Sequence, residues 1–160
     1  MNWKPTGINR RRFVTLAGGT LAAPAILRST LAYAANPVIK VGHVSPKTGP
    51  LAGFAAADDF IIDQLQDLFA GGIDNNGKKY SIDVISKDTQ SNPNRGAEVA
   101  SELLLRDEVD IIVAAGTPDT TNPVADQAEI NGTPCITTDA PWQPYFFGRN
   151  GNPATGFEYT

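Results

Sequence analysis

The sequence has few of the residues on which metal binding and thiol chemistry depend. Its 160 residues include one Cys, Cys135, and one His, His43. A single thiol cannot form a disulfide within the chain or a cysteine-based zinc site, and a single imidazole cannot build a histidine-rich metal site. We therefore predict no metal site and no cofactor. Both residues lie in apolar runs, which favours core positions over a ligand contact or a nucleophile.

Three loops that would indicate nucleotide chemistry or hydrolysis are also missing. The sequence contains no G-x-G-x-x-G, no G-x-x-x-x-G-K-[ST] and no G-x-S-x-G pattern. The first two place backbone N–H groups close to phosphates, and the third presents a nucleophilic serine. These absences predict that the protein is not an enzyme.

Residues 1–34 have the layout of an export signal. Asn9–Thr15 (NRRRFVT) resembles the twin-arginine signature of two arginines, one free position, Phe and an apolar residue. Val14–Leu27 is moderately apolar but too short and too rich in small residues to span a membrane. Ala32-Tyr33-Ala34 supplies a small-x-small cleavage pattern. We predict cleavage after Ala34 and a periplasmic location. The alternative is a basic N-terminal arm on a cytosolic protein.

Positive charge is scarce beyond that segment. The chain has 13 Lys and Arg against 17 Asp and Glu, and five of the basic residues lie in residues 1–34, which contain no acid. Removal of the segment leaves eight basic and 17 acidic residues, a net charge of −9. A surface this acidic disfavours nucleic acid and anionic membranes as partners.

The remaining chain alternates short apolar runs with segments of helical period. Strands are predicted at Val38–Val44, Tyr80–Ile85, Asp110–Ala115 and Pro134–Thr138. Helices are predicted from Gly53 to Phe69, from Asn92-Pro93 onward, and around Pro123–Ile130. Asp74–Gly77 reads as a turn. This alternation predicts an α/β fold with a parallel, doubly wound sheet.

Four polar loops follow the predicted strands. They are Ser45–Leu51, Asp88–Asn92, Gly116–Thr121 and Thr138–Trp142, and they hold hydroxyls, glycines, prolines and single acids. Ligands of such sheets bind beyond the carboxyl ends of the strands. We therefore expect the four loops to meet at one edge and to form the binding site.

An ordered set of short motifs resembles one known family. These are Ile39–Gly42 with Pro46, Thr48–Ala52, Gly71–Ile73 with Asn76–Tyr80, Asp88–Pro93, and the Gly116 loop followed by Val124-Ala125. Their order is similar to that in periplasmic solute-binding proteins of the branched-chain amino acid (Leu/Ile/Val-binding) type, which serve ABC importers. The resemblance runs through most of Val38–Ala140.

The resemblance implies a type I periplasmic binding protein, in which two α/β lobes close around a solute. Residues 35–141 would form part of the N-terminal lobe. Residues 142–160 would be an aromatic-rich tail, truncated before the rest of the fold and lacking its packing partners. The predicted chain is thus an N-terminal fragment.

The resemblance also places solute contacts. Phe54 matches an aromatic position that packs on the solute, and Thr117 and Thr120 lie in the stretch whose hydroxyl and N–H groups hold a solute carboxylate. Asp119 stands where the family has small hydroxyl residues. The fourth loop supplies Asp139, Ala140 and Trp142, and its acid beside an aromatic would suit a cation or a polar aromatic solute.

Three of these residues have plain structural alternatives. Phe54 could be the first core residue of its helix, Asp119 could cap the next helix, and Trp142 could pack against the rest of the protein.

The implied function is capture of an amino acid or a related polar or aromatic solute for an ABC importer. The implied partners are that solute and an inner-membrane ABC permease, with the protein acting as a monomer. The alternatives are a periplasmic sensor domain of a signalling system and, less favoured, an exported α/β enzyme.

Overall fold

A computed structural model describes residues 36–160 of the chain. The predicted signal peptide, residues 1–34, lies outside the described residues. Within the described part, no helix has the length and apolar character needed to cross a membrane.

Five strands form one sheet in the order β2-β3-β1-β4-β5. The strands are β1 (Val38–Ser45), β2 (Ile73–Asn75), β3 (Lys78–Asp88), β4 (Ile111–Ala115) and β5 (Cys135–Thr138). Strand β1 pairs in parallel with β3 and β4, and β4 pairs in parallel with β5. All four predicted strands are therefore present, and the predicted parallel α/β sheet is confirmed.

The short edge strand β2 was not predicted. It pairs antiparallel with the start of β3 across the two-residue turn Asn76-Gly77. Both turn residues have positive φ, 54° and 79°, as a tight hairpin with the right-handed strand twist requires. The turn itself was predicted from composition. Three residues without a clear alternating pattern gave no signal for the strand.

Four helices connect and follow the strands, namely α1 (Asp58–Leu68), α2 (Pro93–Leu105), α3 (Pro118–Asn131) and α4 (Trp142–Gly148). The helix predicted from Gly53 is divided, because Ala52–Ala55 forms a separate 3₁₀ turn before α1. The predicted start of α3, near Pro123, lies about one and a half turns after its actual start. Pro118 takes the first helical position, and Pro123 lies inside the helix.

The hydrophobic core lies between the sheet and helices α2 and α3. Its buried members from the sheet are Val44, Ile112, Ala114 and Cys135, and those from the two helices are Val99, Ala100, Leu103, Val124, Ala125 and Ala128. A Cβ on Gly42 would lie 3.0 Å from Leu103 Cδ1, and one on Gly96 would lie 3.0 Å from the Thr120 carbonyl oxygen. Glycine at 42 thus lets α2 pack closely on β1, and glycine at 96 lets α2 pack closely on α3.

The opposite face of the sheet is covered only by α1 among the described elements, and loosely. No residue of α1 is buried, and Phe60 and Leu68 are 69% and 72% exposed. The predicted apolar stripe of this helix does face the sheet at Ile61, Ile62 and Leu65, but a cavity separates them from it.

Part of the aromatic tail packs within the chain, whereas Trp142 and Phe147 are 63% and 55% exposed. Arg149 is buried; its Nε donates to Asp126 Oδ1 of α3 at 2.6 Å, and its guanidinium lies 4.0 Å from the Phe157 ring centre. Cys135 N–H donates to the Tyr159 carbonyl at 2.8 Å. The tail therefore attaches to α3 and to the outer edge of β5.

Candidate functional site

The carboxyl ends of the four parallel strands form one continuous row. Ser45 of β1 is in register with Asp88 of β3, and Ala115 of β4 is in register with Thr138 of β5. Val44 pairs with Ala114, which joins the two halves of the row. The four loops that follow these residues therefore share one edge of the sheet, as predicted. We call this edge the rim.

Hydrogen bonds tie the first two rim loops together. Thr48 Oγ1 donates to Asp88 Oδ2 at 2.6 Å, and Ser91 Oγ donates to the Thr48 carbonyl at 2.7 Å. Partial burial would raise the pKa of Asp88, but the hydrogen bonds from Thr48 and the Gln90 N–H outweigh it and lower that pKa. The Asp88 carboxylate thus serves to fix the loops rather than to meet a ligand.

The third rim loop packs directly on the first. Gly116 has φ of 129°, and a Cβ there would lie 2.9 Å from Thr120 Oγ1 and 3.2 Å from Pro46 Cδ. Only glycine combines that backbone conformation with this close approach. Gly116 therefore sets the spacing between the β1 and β4 loops.

Helices α2 and α3 both begin at the rim, but only α2 is capped by a side chain. Asn92 Oδ1 accepts from the N–H groups of Asn94 and Arg95 at 2.9 and 3.1 Å, as predicted. Thr117, the N-cap residue of α3, makes no such bond, and its Oγ1 is buried without a hydrogen-bond partner among the described residues. The start of α3 therefore has an unpartnered hydroxyl in the described fold, and the helix dipole gives this end a partial positive charge.

The residues predicted in this loop have different environments. Thr120 is 1% exposed, and its hydroxyl donates to the Thr117 carbonyl at 3.1 Å. Its side chain is thus already occupied. Asp119 is exposed in the first turn of α3 and does not cap it, so the cap alternative is wrong.

Phe54 lies in the 3₁₀ turn after the first rim loop and is 46% exposed. The alternative that it belongs to the helix core is therefore wrong. Trp142 opens α4, is 63% exposed, and has its ring centre 6.1 Å from that of Phe147. Both aromatic rings are free to meet a solute or another part of the protein.

Asp139 and Ala140 follow β5 directly. Asp139 has φ of 65°, and its carboxylate accepts from Thr138 Oγ1 at 3.4 Å. Asp139 is exposed and Ala140 is half-buried. The structure thus puts Thr117, Asp119, Asp139, Ala140 and Trp142 at the ends of neighbouring strands.

A cavity of about 350 Å³ lies beside the rim, between α1 and the sheet. Of the predicted site residues only Asp139 borders it, next to Thr138. His43 and Asp58 also line it. Sequence reasoning missed this cavity, since periodicity predicts which side of a helix is apolar but not how far that side stands from the sheet.

The single histidine, His43, is partly buried, and the single cysteine, Cys135, is buried. His43 Nδ1 lies 3.0 Å from Ser86 Oγ, and burial lowers the pKa of its imidazole despite the neighbouring Asp58. Cys135 is 7% exposed, and burial raises the pKa of its thiol to about 11. Cys135 agrees with its predicted core role, whereas His43 is partly buried, lines the cavity and lies outside the hydrophobic core. Within residues 36–160, no cluster of three or more potential metal ligands occurs.

A parallel α/β sheet with its loops gathered at one rim is the architecture of one lobe of a two-lobed binding protein. The family model described as periplasmic binding protein matches residues 38–157. The chain belongs to this family, and its family and fold neighbours are solute-binding proteins rather than enzymes.

Solved structures of similar proteins agree with this assignment. The branched-chain amino acid transporter substrate-binding protein LivJ of Streptococcus pneumoniae, in complex with isoleucine, is 28% identical with a TM-score of 0.60, over 71% of this chain and 32% of that one. A solute-binding protein of an ABC transporter from Rhodopseudomonas palustris BisB5, in complex with 3,4-dihydroxybenzoic acid, is 27% identical with a TM-score of 0.58, over 69% and 29%.

A third similar structure is an ABC-type branched-chain amino acid transporter protein from Rhodopseudomonas palustris CGA009. It is 26% identical with a TM-score of 0.55, over 66% of this chain and 28% of that one. The chain thus spans about a third of the length of the structures it matches. No curated protein matches it significantly.

Proposed function

We propose that the chain forms part of the first lobe of a solute-binding protein that serves an ABC importer. The observation that carries this proposal is the common rim, where four strand ends lie in register and α3 begins without a side-chain cap. Similar proteins were solved with isoleucine and with a dihydroxybenzoic acid. The proposed solutes are therefore amino acids and related polar or aromatic acids.

Five of the seven predicted residues would have separate tasks at the rim. The Asp119 N–H and the Thr117 hydroxyl at the start of α3 would hold the polar group of the solute. Phe54 and Trp142 would pack against its apolar part. Asp139 would receive an amine, because an acid next to an aromatic ring favours a cation. The rim covers one side of the solute, and a second lobe closing over the other side would complete the site.

The same proposal includes export and delivery. Residues 1–34 would direct the folded protein to the periplasm through the twin-arginine route, with cleavage after Ala34. The solute-loaded monomer would then meet an inner-membrane ABC permease. N-terminal sequencing of exported protein tests the cleavage site, and Arg10→Lys combined with Arg11→Lys should abolish export of the same chain.

Solute binding is tested by NMR titration of the chain with isoleucine, phenylalanine and 3,4-dihydroxybenzoate. Because the rim buries only one side of a solute, we expect Kd values on the order of millimolar. Shifts should concentrate at Thr117, Asp119 and Trp142. Nanomolar binding by this chain, or shifts confined to the opposite end of the sheet, would reject the proposal.

Two matched pairs of variants sharpen the test. Thr117→Val removes the unpartnered hydroxyl at the rim, and Thr133→Val makes the same change beyond the other end of α3. Trp142→Ala removes an exposed aromatic at the rim, and Phe60→Ala removes one on α1 that is 69% exposed. In each pair only the first variant should weaken binding, by about threefold or more. Thr117→Val removes a hydrogen bond that contributes roughly 1 kcal/mol, and Trp142→Ala removes apolar contact with the solute.

A further inference from the structure

The second rim loop holds the first at two points. The Ser91 hydroxyl donates to the Thr48 carbonyl at 2.7 Å and accepts from the Leu51 N–H at 3.0 Å. The Asp88 carboxylate accepts from the N–H and the hydroxyl of Thr48, at 3.2 and 2.6 Å. We call these four hydrogen bonds the loop clamp. Because they reach both Thr48 and Leu51, they fix the end of the first rim loop as well as its middle.

The second rim loop has a backbone conformation that is unusual for its residues. Gln90 and Ser91 are successive residues with φ of 54° and 57°, in the left-handed region that residues other than glycine rarely adopt. The Gln90 N–H donates to Asp88 Oδ1 at 2.7 Å. Such conformations persist where the surrounding contacts determine them. With this backbone the Ser91 hydroxyl reaches the first loop, so the unusual conformation is associated with the loop clamp.

A glycine lets the two loops touch. Gly49 has φ of 88°, and a Cβ there would lie 2.7 Å from Ser91 Oγ and 3.0 Å from the Gln90 carbonyl oxygen. Both distances are shorter than an ordinary van der Waals contact. Any side chain at this position would therefore push the loops apart, and only glycine is compatible with the loop clamp.

The loop clamp is connected to Phe54 through Leu51. The Leu51 N–H donates to Ser91 Oγ, and the Leu51 carbonyl accepts from the Phe54 N–H at 3.0 Å, at the start of the 3₁₀ turn Ala52–Ala55. No residue of that turn is buried, and Phe54 is 46% exposed. The position of Phe54 in the described fold therefore depends on the loop before it rather than on core packing.

We propose that Ser91 and Asp88 are positioning residues for Phe54, which fix this aromatic residue at the rim before a solute arrives. The role of Phe54 as a solute contact rests on the proposed function, whereas its positioning is a property of the free chain. A residue that is already fixed loses less conformational freedom on binding, which raises affinity. Without the loop clamp, the turn that carries Phe54 becomes mobile and its contribution to solute binding decreases.

Two matched pairs of variants separate the loop clamp from general stability. Ser91→Ala removes the bridging hydroxyl, and Ser81→Ala makes the same change near the amino end of β3, away from the rim. Gly49→Ala places a methyl group against Ser91, and Gly53→Ala adds one that meets nothing within 4 Å. Only the first member of each pair should release the first rim loop.

Amide hydrogen exchange of the free chain, followed by NMR, gives a readout that needs no solute. Ser91→Ala and Gly49→Ala should increase exchange at the Leu51 and Phe54 N–H groups about fivefold or more, as expected when a hydrogen bond is lost. The control variants should change it less than about twofold. Exchange at Ile112 in the core should stay constant, which excludes general unfolding. Unchanged exchange at Leu51 and Phe54 would overturn the proposal.

A double-mutant cycle tests whether the loop clamp acts through Phe54, with phenylalanine as the titrated solute. Ser91→Ala should weaken binding about threefold in the wild type, and no further in a Phe54→Ala background. In a Trp142→Ala background the threefold loss should remain. Equal losses in all three backgrounds would show that Ser91 does not act through Phe54. If phenylalanine, isoleucine and 3,4-dihydroxybenzoate all fail to bind, the proposed function is rejected, and amide exchange still decides the positioning.

Discussion

The two faces of the sheet are built from similar apolar residues but are packed very differently. On the side of α2 and α3, Leu103, Ile112 and Val124 are each 0% exposed. On the side of α1, Ile61 and Leu65 are 50% and 39% exposed, and a cavity lies beneath them. The stability of the described fold should therefore come mainly from the first face.

The difference has a cause in the sequence. On the packed face, glycine at 42 lets β1 approach α2 at Leu103, and glycine at 96 lets α2 approach α3 at Thr120. On the other face, His43 takes a central position in β1, and Asp58 begins α1 next to it. His43 Nδ1 lies 3.0 Å from Ser86 Oγ, whereas Asp58 Oδ2 has no hydrogen-bond partner among the described residues, so this face has two polar groups where the packed face has apolar ones.

Truncation of one leucine on each face should give the largest contrast. Leu103→Ala leaves a cavity in a closed core and should lower the free energy of unfolding by about 2–5 kcal/mol. Leu65→Ala removes a half-exposed side chain and should lower it by less than about 1 kcal/mol. Urea denaturation followed by circular dichroism measures both. Similar losses would contradict the proposed division between the faces.

Added volume should give the next largest effect. Gly42→Val forces a branched side chain against Leu103 and Val109 and should lower the unfolding free energy by about 1–3 kcal/mol. Gly53→Val is the control, since a Cβ at Gly53 meets nothing within 4 Å. The same denaturation experiment compares them. If Gly53→Val proves equally destabilising, close packing at Gly42 is not the cause.

The smallest effect should be a pH dependence from the α1 face. Burial lowers the pKa of His43 below its usual 6.5, so the unfolded chain binds this proton more readily than the folded chain. Its stabilising contribution is complete above pH 6.5 and is lost as the pH falls through the lowered folded-state pKa. His43→Gln should flatten the decrease in stability between about pH 6.5 and pH 5.

The decrease in stability between pH 6.5 and pH 5 can be assigned to His43, because it is the one histidine of the chain. The carboxylates with lowered pKa, Asp88 and Glu129, titrate at more acidic pH. Denaturation midpoints at pH 7 and pH 5 for the wild type and His43→Gln provide the comparison. An unchanged pH dependence in His43→Gln would show that the imidazole is not held neutral by burial.

The sequence by itself determined the parallel α/β sheet and the gathering of its loops. Runs such as Ile111–Ala115 are apolar throughout, as a strand covered on both sides must be, and alternate with segments of helical period. Connections between parallel strands then place successive strand ends on one edge. The N-cap at Asn92 could also be predicted locally, because Asn92 and the N–H groups that it caps lie within three residues of each other.

Only the tertiary structure decided how closely each helix packs and which polar groups stay free. Thr117, Thr120 and Thr121 look alike in sequence, yet two of the hydroxyls bond to the Thr117 carbonyl and the third has no partner among the described residues. The distance of α1 from the sheet, and the packing of the tail on Asp126, depend on contacts far apart in the chain. Local periodicity sets the direction of a side chain, whereas these distances follow from the packing of whole layers.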